Sequence, residues 1–288
     1  MDFERYKILL TVIDTGSISG AAERLGYTAS GISRMMGTLE EEIGFPLLHR
    51  GKKGVDSTKE CMELLPSIRD FIFAGEKISQ MAAKIQGGET GTIVIGTAYS
   101  HFYKWITKVT SEFHEQHPGV QFRIIYGTST ELIEKMQKYQ ADFCLVSRRE
   151  GVDNWITICN DYMVAMLPEG HPLAGQKSVP VEAFATESYI ETYPGQDVDN
   201  SRVFGRCHIA PNTVFSTLDI YATYSMVEAG LGISMNNQIN SHLWNGSVKH
   251  LPLQPNQLVE IGLAYQKKIT PAAELFLNEI KDRLPEIL

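Results

Sequence analysis

No stretch of this chain is apolar for long enough to span a bilayer, and no basic, apolar leader precedes its first helical pattern. A membrane role is therefore not expected, and a reducing, cytoplasmic setting is. Cysteine is scarce: Cys61, Cys144, Cys159 and Cys207 form no C-x-x-C pair and no zinc spacing. Catalytic signatures are missing as well. There is no G-x-S-x-G elbow, no metal-ligand cluster and no Cys-His or Ser-His-Asp arrangement. His101, His114, His117 and His171 fall on surface-like helices or turns. Neither enzymatic chemistry nor a metal or cofactor is expected. Positive charge is in deficit too, with a formal net charge of -8 over 288 residues. That total argues against general nucleic-acid affinity, yet binding depends on the local field at the contact surface.

What is present begins with the run from Ser17 to Arg50, SISGAAERLGYTASGISRMMGTLEEEIGFPLLHR. It reads as two short helices, a tight turn between them, and a basic hairpin. Ser19 is expected to cap a helix from Gly20 to Leu25, and Gly26 to end it in a left-handed conformation. Thr28 then caps a second helix running to about Ile43. Ile32, Met36, Leu39 and Ile43 form its apolar stripe at helical spacing. The opposite face, with Ser30, Ser33, Arg34 and Gly37, is short except for one arginine. Short side chains let a backbone approach a groove floor, and arginine makes bidentate contacts to guanine. A preceding helix, Phe3 to Ile13, offers Tyr6, Leu9, Leu10 and Ile13 as a third wall. Leu47-Leu48 and Val55 read as strand residues around the turn Gly51-Lys52-Lys53-Gly54. The candidate DNA contacts are Thr28, Ser30, Ser33, Arg34 and Thr38 on the helix, with Arg50, Lys52 and Lys53 on the hairpin suited to phosphate. The bland reading is a helical subdomain with a charged loop; the ordered succession of all these parts favours a recognition helix and wing.

From Thr58 the periodicity lengthens. Cys61, Leu64, Ile68, Phe71, Gly75, Ile78, Ala82 and Ile85 recur in steps of three and four, the signature of a coiled-coil seam. Leu64, Ile68, Phe71, Ile78 and Ile85 are its candidate dimerisation residues. Pro66 is expected to kink this helix or end its first turn. The alternative is that the helix packs on its own domain. Gln86 to Gly91 reads as a hinge.

Beyond the hinge, strands alternate with helices. Thr92–Gly96, Val120–Tyr126 and Asp142–Val146 read as strands, with helices through Phe102–Phe113 and Leu132–Gln137 between them. Strands at 188–192, 231–235 and 259–266 follow, with helices at 218–229 and 271–284. The alternation predicts a parallel sheet with right-handed crossovers.

The N-terminal segment resembles the winged helix-turn-helix of LysR-type transcriptional regulators. Gly16-Ser17, Ala21-Ala22-Glu23-Arg24-Leu25, Ser33-Arg34, Leu39-Glu40-Glu41-Glu42-Ile43-Gly44 and Pro46-Leu47-Leu48-His49-Arg50 carry the likeness. Ala29-Ser30 departs from the family's usual Gln-Pro, and Ser57-Thr58-Lys59-Glu60-Cys61 from its Leu-Thr-x-x-Gly, which leaves the operator sequence open. Glu169–Ala174 and Glu228–Ile233 resemble segments of the family's periplasmic-binding-protein-like effector domain.

The resemblance implies an all-α winged helix-turn-helix domain at 1–58, a linker and dimerisation helix with hinge at 59–90, and an α/β two-lobed effector domain at 91–288. Its first lobe would comprise about 91–161 and 267–288, its second about 162–266. The implied partners are double-stranded DNA, a small-molecule effector in the interlobe cleft, RNA polymerase, and further copies of the chain in a homodimer or homotetramer. Helix N-termini at such a cleft favour carboxylates. The candidate effector contacts are Tyr99, Ser100, Thr128, Ser129 and Ser147 in one lobe, with Tyr193, Thr217 and Asn236 in the other. Tyr99, Phe102, Tyr126, Tyr189 and Tyr193 are open to two readings, cleft lining or core. Cys207, between Arg206 and His208, carries a redox alternative. An enzyme built on the two-lobed domain and a solute-binding transport component are the remaining alternatives. The first lacks a catalytic arrangement; the second leaves the DNA-binding module without a role.

Overall fold

The computed structural model describes residues 2–51, 54–241 and 244–287. It divides into two compact units, the first ending at Gly88 and the second beginning at Glu89.

In the first unit, α1 (Phe3–Thr15), α2 (Ile18–Leu25) and α3 (Ala29–Ile43) precede a hairpin, β1 (Leu48–Gly51) and β2 (Gly54–Ser57), and the long helix α4 (Lys59–Ile85). Each boundary has a chemical cause. Gly16, Gly26 and Gly44 terminate the first three helices in the left-handed region. The cap of α2 is Ser17 rather than Ser19: its extended backbone lets its hydroxyl accept from Gly20 N at 3.2 Å, and Ser19 lies inside the first turn. Thr28 caps α3 as its spacing predicts, accepting from Gly31 N. Ile8, Leu9, Val12, Ala21, Ala22, Ile32, Met36 and Leu39 form the buried centre.

Pro66 neither ends α4 nor confines it to one turn, since the helix runs through it to Ile85. The seam read from the sequence divides in two. Cys61 and Ile68 are buried in the unit's own core, with the half-buried Leu64 packed against it. Phe71 meets the rings of Phe3 and Tyr6 edge-on at 5.8 and 5.6 Å, and Phe3 lies directly over Gly75. Beyond that point the helix leaves its own core. Ile78 is 67%, Met81 48% and Ile85 86% exposed, and Ala74 is exposed with them. The exposed stripe therefore runs Phe71, Ala74, Ile78, Met81, Ile85, with Ala82 exposed beside it and Gly75 covered by Phe3.

The second unit contains β3 (Gly91–Thr97), α5 (Tyr103–Gln116), β4 (Val120–Tyr126), α6 (Ser129–Gln137), β5 (Phe143–Ser147) and β6 (Asn154–Pro168). There follow β7 (Val179–Pro180), β8 (Tyr189–Thr192), α7 (Asp199–Cys207), β9 (Thr213–Thr217), α8 (Ile220–Glu228), β10 (Ser234–Asn237), α9 (Gln238–Ser241), β11 (Val248–Gln254), β12 (Leu258–Tyr265) and α10 (Pro271–Arg283). The main sheet runs β4-β3-β5-β12-β6-β11-β7, with β10 also on β6. It is mixed, which corrects the parallel expectation: β3 is parallel to β4 and β5, but β12 is antiparallel to both β5 and β6.

β6 makes the two lobes. Its first half, through Tyr162, pairs with β12; from Met163 onward it pairs with β10 and β11. The sequence hides this strand because Asn160 and Asp161 interrupt its apolar pattern at the crossing. The return crossing lies at 255–257, between β11 and β12, and not near 266 as the lobe boundaries above place it. The reason is register: β12 sits inside the first lobe's sheet, with Leu263 opposite Leu145 and Ile156. Phe113, Phe122 and Phe276 pack edge-on beneath that sheet and Phe143 lies tilted against Phe276, with centroids 5.0–5.8 Å apart.

Candidate functional site

Two surfaces concentrate polar chemistry, one in each unit. In the first, α3 turns Ile32, Met36 and Leu39 inward, leaving Ser30 and Arg34 exposed and Ser33 half-buried at the surface. Arg50, on β1, donates from Nη1 to Ser33 Oγ at 2.8 Å, so the hairpin and the helix present one polar surface. Thr28 is spent as the cap, and Thr38 returns its hydroxyl to Arg34 O at 3.1 Å. Arg34 and Ser30 remain exposed polar groups of the helix, with Ser30 Oγ 3.3 Å from Thr28 Oγ1. Lys52 and Lys53, expected at the hairpin tip, lie outside the described residues.

The hairpin's position is fixed by α3 itself. Glu40 Oε1 accepts from Leu47 N at 2.8 Å and Leu48 N at 3.1 Å. On the other strand, Val55 N donates to Gly16 O at 2.8 Å. Gly54 there has φ +124°, and a Cβ on it would come within 2.6 Å of Gly16 O, so glycine is required. Thr58 ties the start of α4 to the same place, donating to Pro46 O while capping Cys61 N.

In the second unit, a cleft of about 70 Å³ opens where strand ends of the two lobes meet. From the first lobe come Tyr99, Thr128, Ser129 and Arg149; from the second, Tyr193, Asp199, Asn200, Asn236 and Asn240. Of the expected contacts, Tyr99, Thr128, Ser129, Tyr193 and Asn236 line this space. Ser100 does not, because it starts the short 3-10 turn Ser100–Phe102. Thr217 does not, because it ends β9, where its hydroxyl accepts from Asp219 N at 3.2 Å. Ser147 is buried just behind the lining and reaches the site through Asp199.

Asp199 is the hub of this region. Tyr99 Oη donates to its Oδ2 at 2.9 Å, and Ser147 Oγ to its Oδ1 at 2.7 Å. Arg149 Nη2 lies 3.1 Å from the same Oδ1, with side-chain exposures of only 6% and 10% for the pair. Arg149 makes three further bonds: Nε donates to Thr130 Oγ1, and Nη1 to Ser147 Oγ and to Arg148 O. Burial first, and then the Asp199 carboxylate, push the Tyr99 phenol well above the ordinary tyrosine range, so it stays a donor. A second bond crosses the lobes alongside, from Thr130 Oγ1 to Asp197 at 2.9 Å, and Arg202 holds Asp197 bidentately.

Neither Arg149 nor Asp199 was singled out from the sequence. The available signal was weak: an arginine pair at the end of a buried strand, and an acid opening a helix that Gly205 obscures. The aromatic question resolves residue by residue. Phe102 and Tyr189 are core; Tyr99 is buried with its hydroxyl at the cleft; Tyr126 and Tyr193 approach each other at 3.4 Å. Cys207 is half-buried beside Gln257 Nε2 at 3.5 Å, and among the described residues all four cysteines are free. No described group of His, Cys, Asp or Glu gathers as a metal site, and no described helix is long and apolar enough to cross a membrane.

Residues 3–62 match the family model for the bacterial regulatory helix-turn-helix protein, lysR family, and residues 86–285 that for the LysR substrate binding domain. The chain belongs to the LysR family. It is a DNA-binding transcriptional regulator with an effector-binding domain, and not an enzyme. Among its relatives is the uncharacterized HTH-type transcriptional regulator YvbU of Bacillus subtilis, 24% identical over 98% of each chain. Among solved structures, full-length CbnR complexed with its target DNA superposes with TM-score 0.60 at 16% identity, covering 100% of both chains. The effector binding domain of QuiR in complex with shikimate gives 0.58 at 22% identity, covering 69% of this chain and 99% of that one.

Proposed function

We propose that α3 of this regulator reads operator bases through Arg34 and Ser30, while Ser33 and Arg50, bonded to each other, set the hairpin beside a phosphate. The observation that carries this reading is the bare polar face of α3, held against the hairpin by the Arg50–Ser33 bond and by Glu40. The exposed stripe from Phe71 to Ile85 supplies a seam for a second copy, so that two reading heads engage two half-sites. Pairing of such dimers gives a tetramer. The protein acts in the cytoplasm, where the cleft takes a small-molecule effector whose binding alters the contact with DNA or RNA polymerase. The effector binding domain of QuiR in complex with shikimate supports a small-molecule occupant.

Footprinting of the purified full-length protein on genomic DNA tests the operator claim. Two protected half-sites in a promoter are expected, lost together when Arg34 and Arg50 are both replaced by alanine. Protection without sequence preference, unchanged by those substitutions, would dismiss the proposed reading surface.

A further inference from the structure

A carboxylate-binding position exists in the cleft, and the chain has filled it with its own carboxylate. Three donors converge on Asp199 from the opposite lobe: the Tyr99 hydroxyl, the Ser147 hydroxyl and the Arg149 guanidinium. A buried arginine flanked by two hydroxyl donors is what an organic acid would need. Both hydroxyl protons are spent on Asp199, and Arg149 already makes four bonds within the chain. The end of one neighbouring helix is committed too, and the other begins at the carboxylate itself. α7 begins with Asp199 itself, and at α6 Thr128 and Glu131 satisfy each other's backbone amides in a capping box. Arg202, the other cation nearby, is held by Asp197.

What remains open beside this clasp is uncharged. Thr192, Tyr193, Asn200, Asn236 and Asn240 contribute hydroxyls and amides. Asn240 is more than nine-tenths buried, and among the described residues nothing donates to its Oδ1. A buried acceptor of that kind calls for a donor from a ligand. We infer that Asp199 stands in for a ligand carboxylate, and that the effector is instead an uncharged hydrogen-bonding molecule, such as a polyol, sugar or amide, donating to Asn240. The inference rests on reading the cleft as the effector site, and it corrects the expectation that carboxylates are favoured there.

Chemical rescue tests it on the full-length chain. In Asp199→Gly, the three donors lose their partner and space opens in front of them. Acetate, at ionic strength matched with chloride, should raise the thermal midpoint of this variant by roughly 3 °C or more and leave the parent unchanged. Asp199→Ser serves in the same way if the glycine variant does not fold. Acetate, benzoate and shikimate should not stabilise the parent, whereas members of an uncharged polyol, sugar and amide panel should, and should lose that effect in Asn240→Leu. Absence of rescue in the variants overturns the inference. So does stabilisation of the parent by a carboxylate that is abolished in Arg149→Gln, an outcome that would leave the effector reading intact. Rescue without any ligand for the parent would instead uphold the stand-in carboxylate and remove the effector reading.

Discussion

Arg34 in the N-terminal unit and Arg149 in the C-terminal unit carry the same guanidinium in opposite surroundings. Arg34 is exposed on α3, with no ion pair among the described residues, and Arg50 nearby makes a single bond to a serine. Arg149 is buried and donates to Thr130, Ser147, Arg148 O and Asp199. An arginine meant for an external partner must leave donors unspent. One that spends four donors within the chain acts as a clasp between lobes. On the readings proposed above, the first unit recognises charge and the second neutral polar groups.

The sharpest way to break this contrast is to remove one half of the clasp. Asp199→Ala leaves the Arg149 charge buried and uncompensated, and should destabilise the C-terminal unit by about 3–5 kcal/mol in denaturant unfolding. A loss below about 1 kcal/mol would mean that Arg149 is no more committed than Arg34. Within α4 the comparison is between Ile68 and Ile78, ten residues apart on one helix. Ile68→Ala should cost about 2–4 kcal/mol of folding stability by opening a core cavity. Ile78→Ala should leave folding within about 0.5 kcal/mol and lower the sedimentation-derived association constant instead. Equal folding penalties would show that the helix is not divided as described.

Arg34→Ala should cost about 1–3 kcal/mol of operator affinity in a gel-shift titration, with the melting profile unchanged. Unaltered affinity would move base reading away from this residue. The smallest effect belongs to His250. Burial lowers its pKa below the ordinary histidine value, and no described group bonds its Nε2. The unfolded chain therefore takes up this proton first as the pH falls, from about 6.5 downward. Stability of the C-terminal unit should be full above that range and decline below it. His250→Phe should flatten the decline. A variant that tracked the parent through acid would assign the loss to other groups.

The first unit was readable because its parts are contiguous. Thr28, the Ile32–Met36–Leu39 stripe and Gly44 mark α3 by local chemistry, and the apposition of hairpin and helix follows from neighbouring segments. Even there a slip occurred at Ser17, where two serines compete for one cap and only the backbone conformation decides. Periodicity alone does not tell a seam from packing on the helix's own domain, and Ile68 and Leu64 pack against the core of the unit. The cleft was legible only in part. Strand ends named Tyr99, Thr128, Ser129 and Asn236 among its walls, but Arg149 and Asp199 meet across 50 residues. No local pattern announces such a pairing. The mixed sheet was missed for a related reason, since β6 serves two lobes and its polar midpoint disguises one long strand as two short ones.

Glu40 has a consequence for how operators can vary. Because one carboxylate on the recognition helix accepts the two amides that open the hairpin, helix and hairpin travel as a single piece. The offset between the bases one part touches and the backbone the other grips is built into the protein before any duplex arrives. A promoter with altered spacing between those features would have to distort its own helix to fit, since Glu40 ties the two parts of the head together.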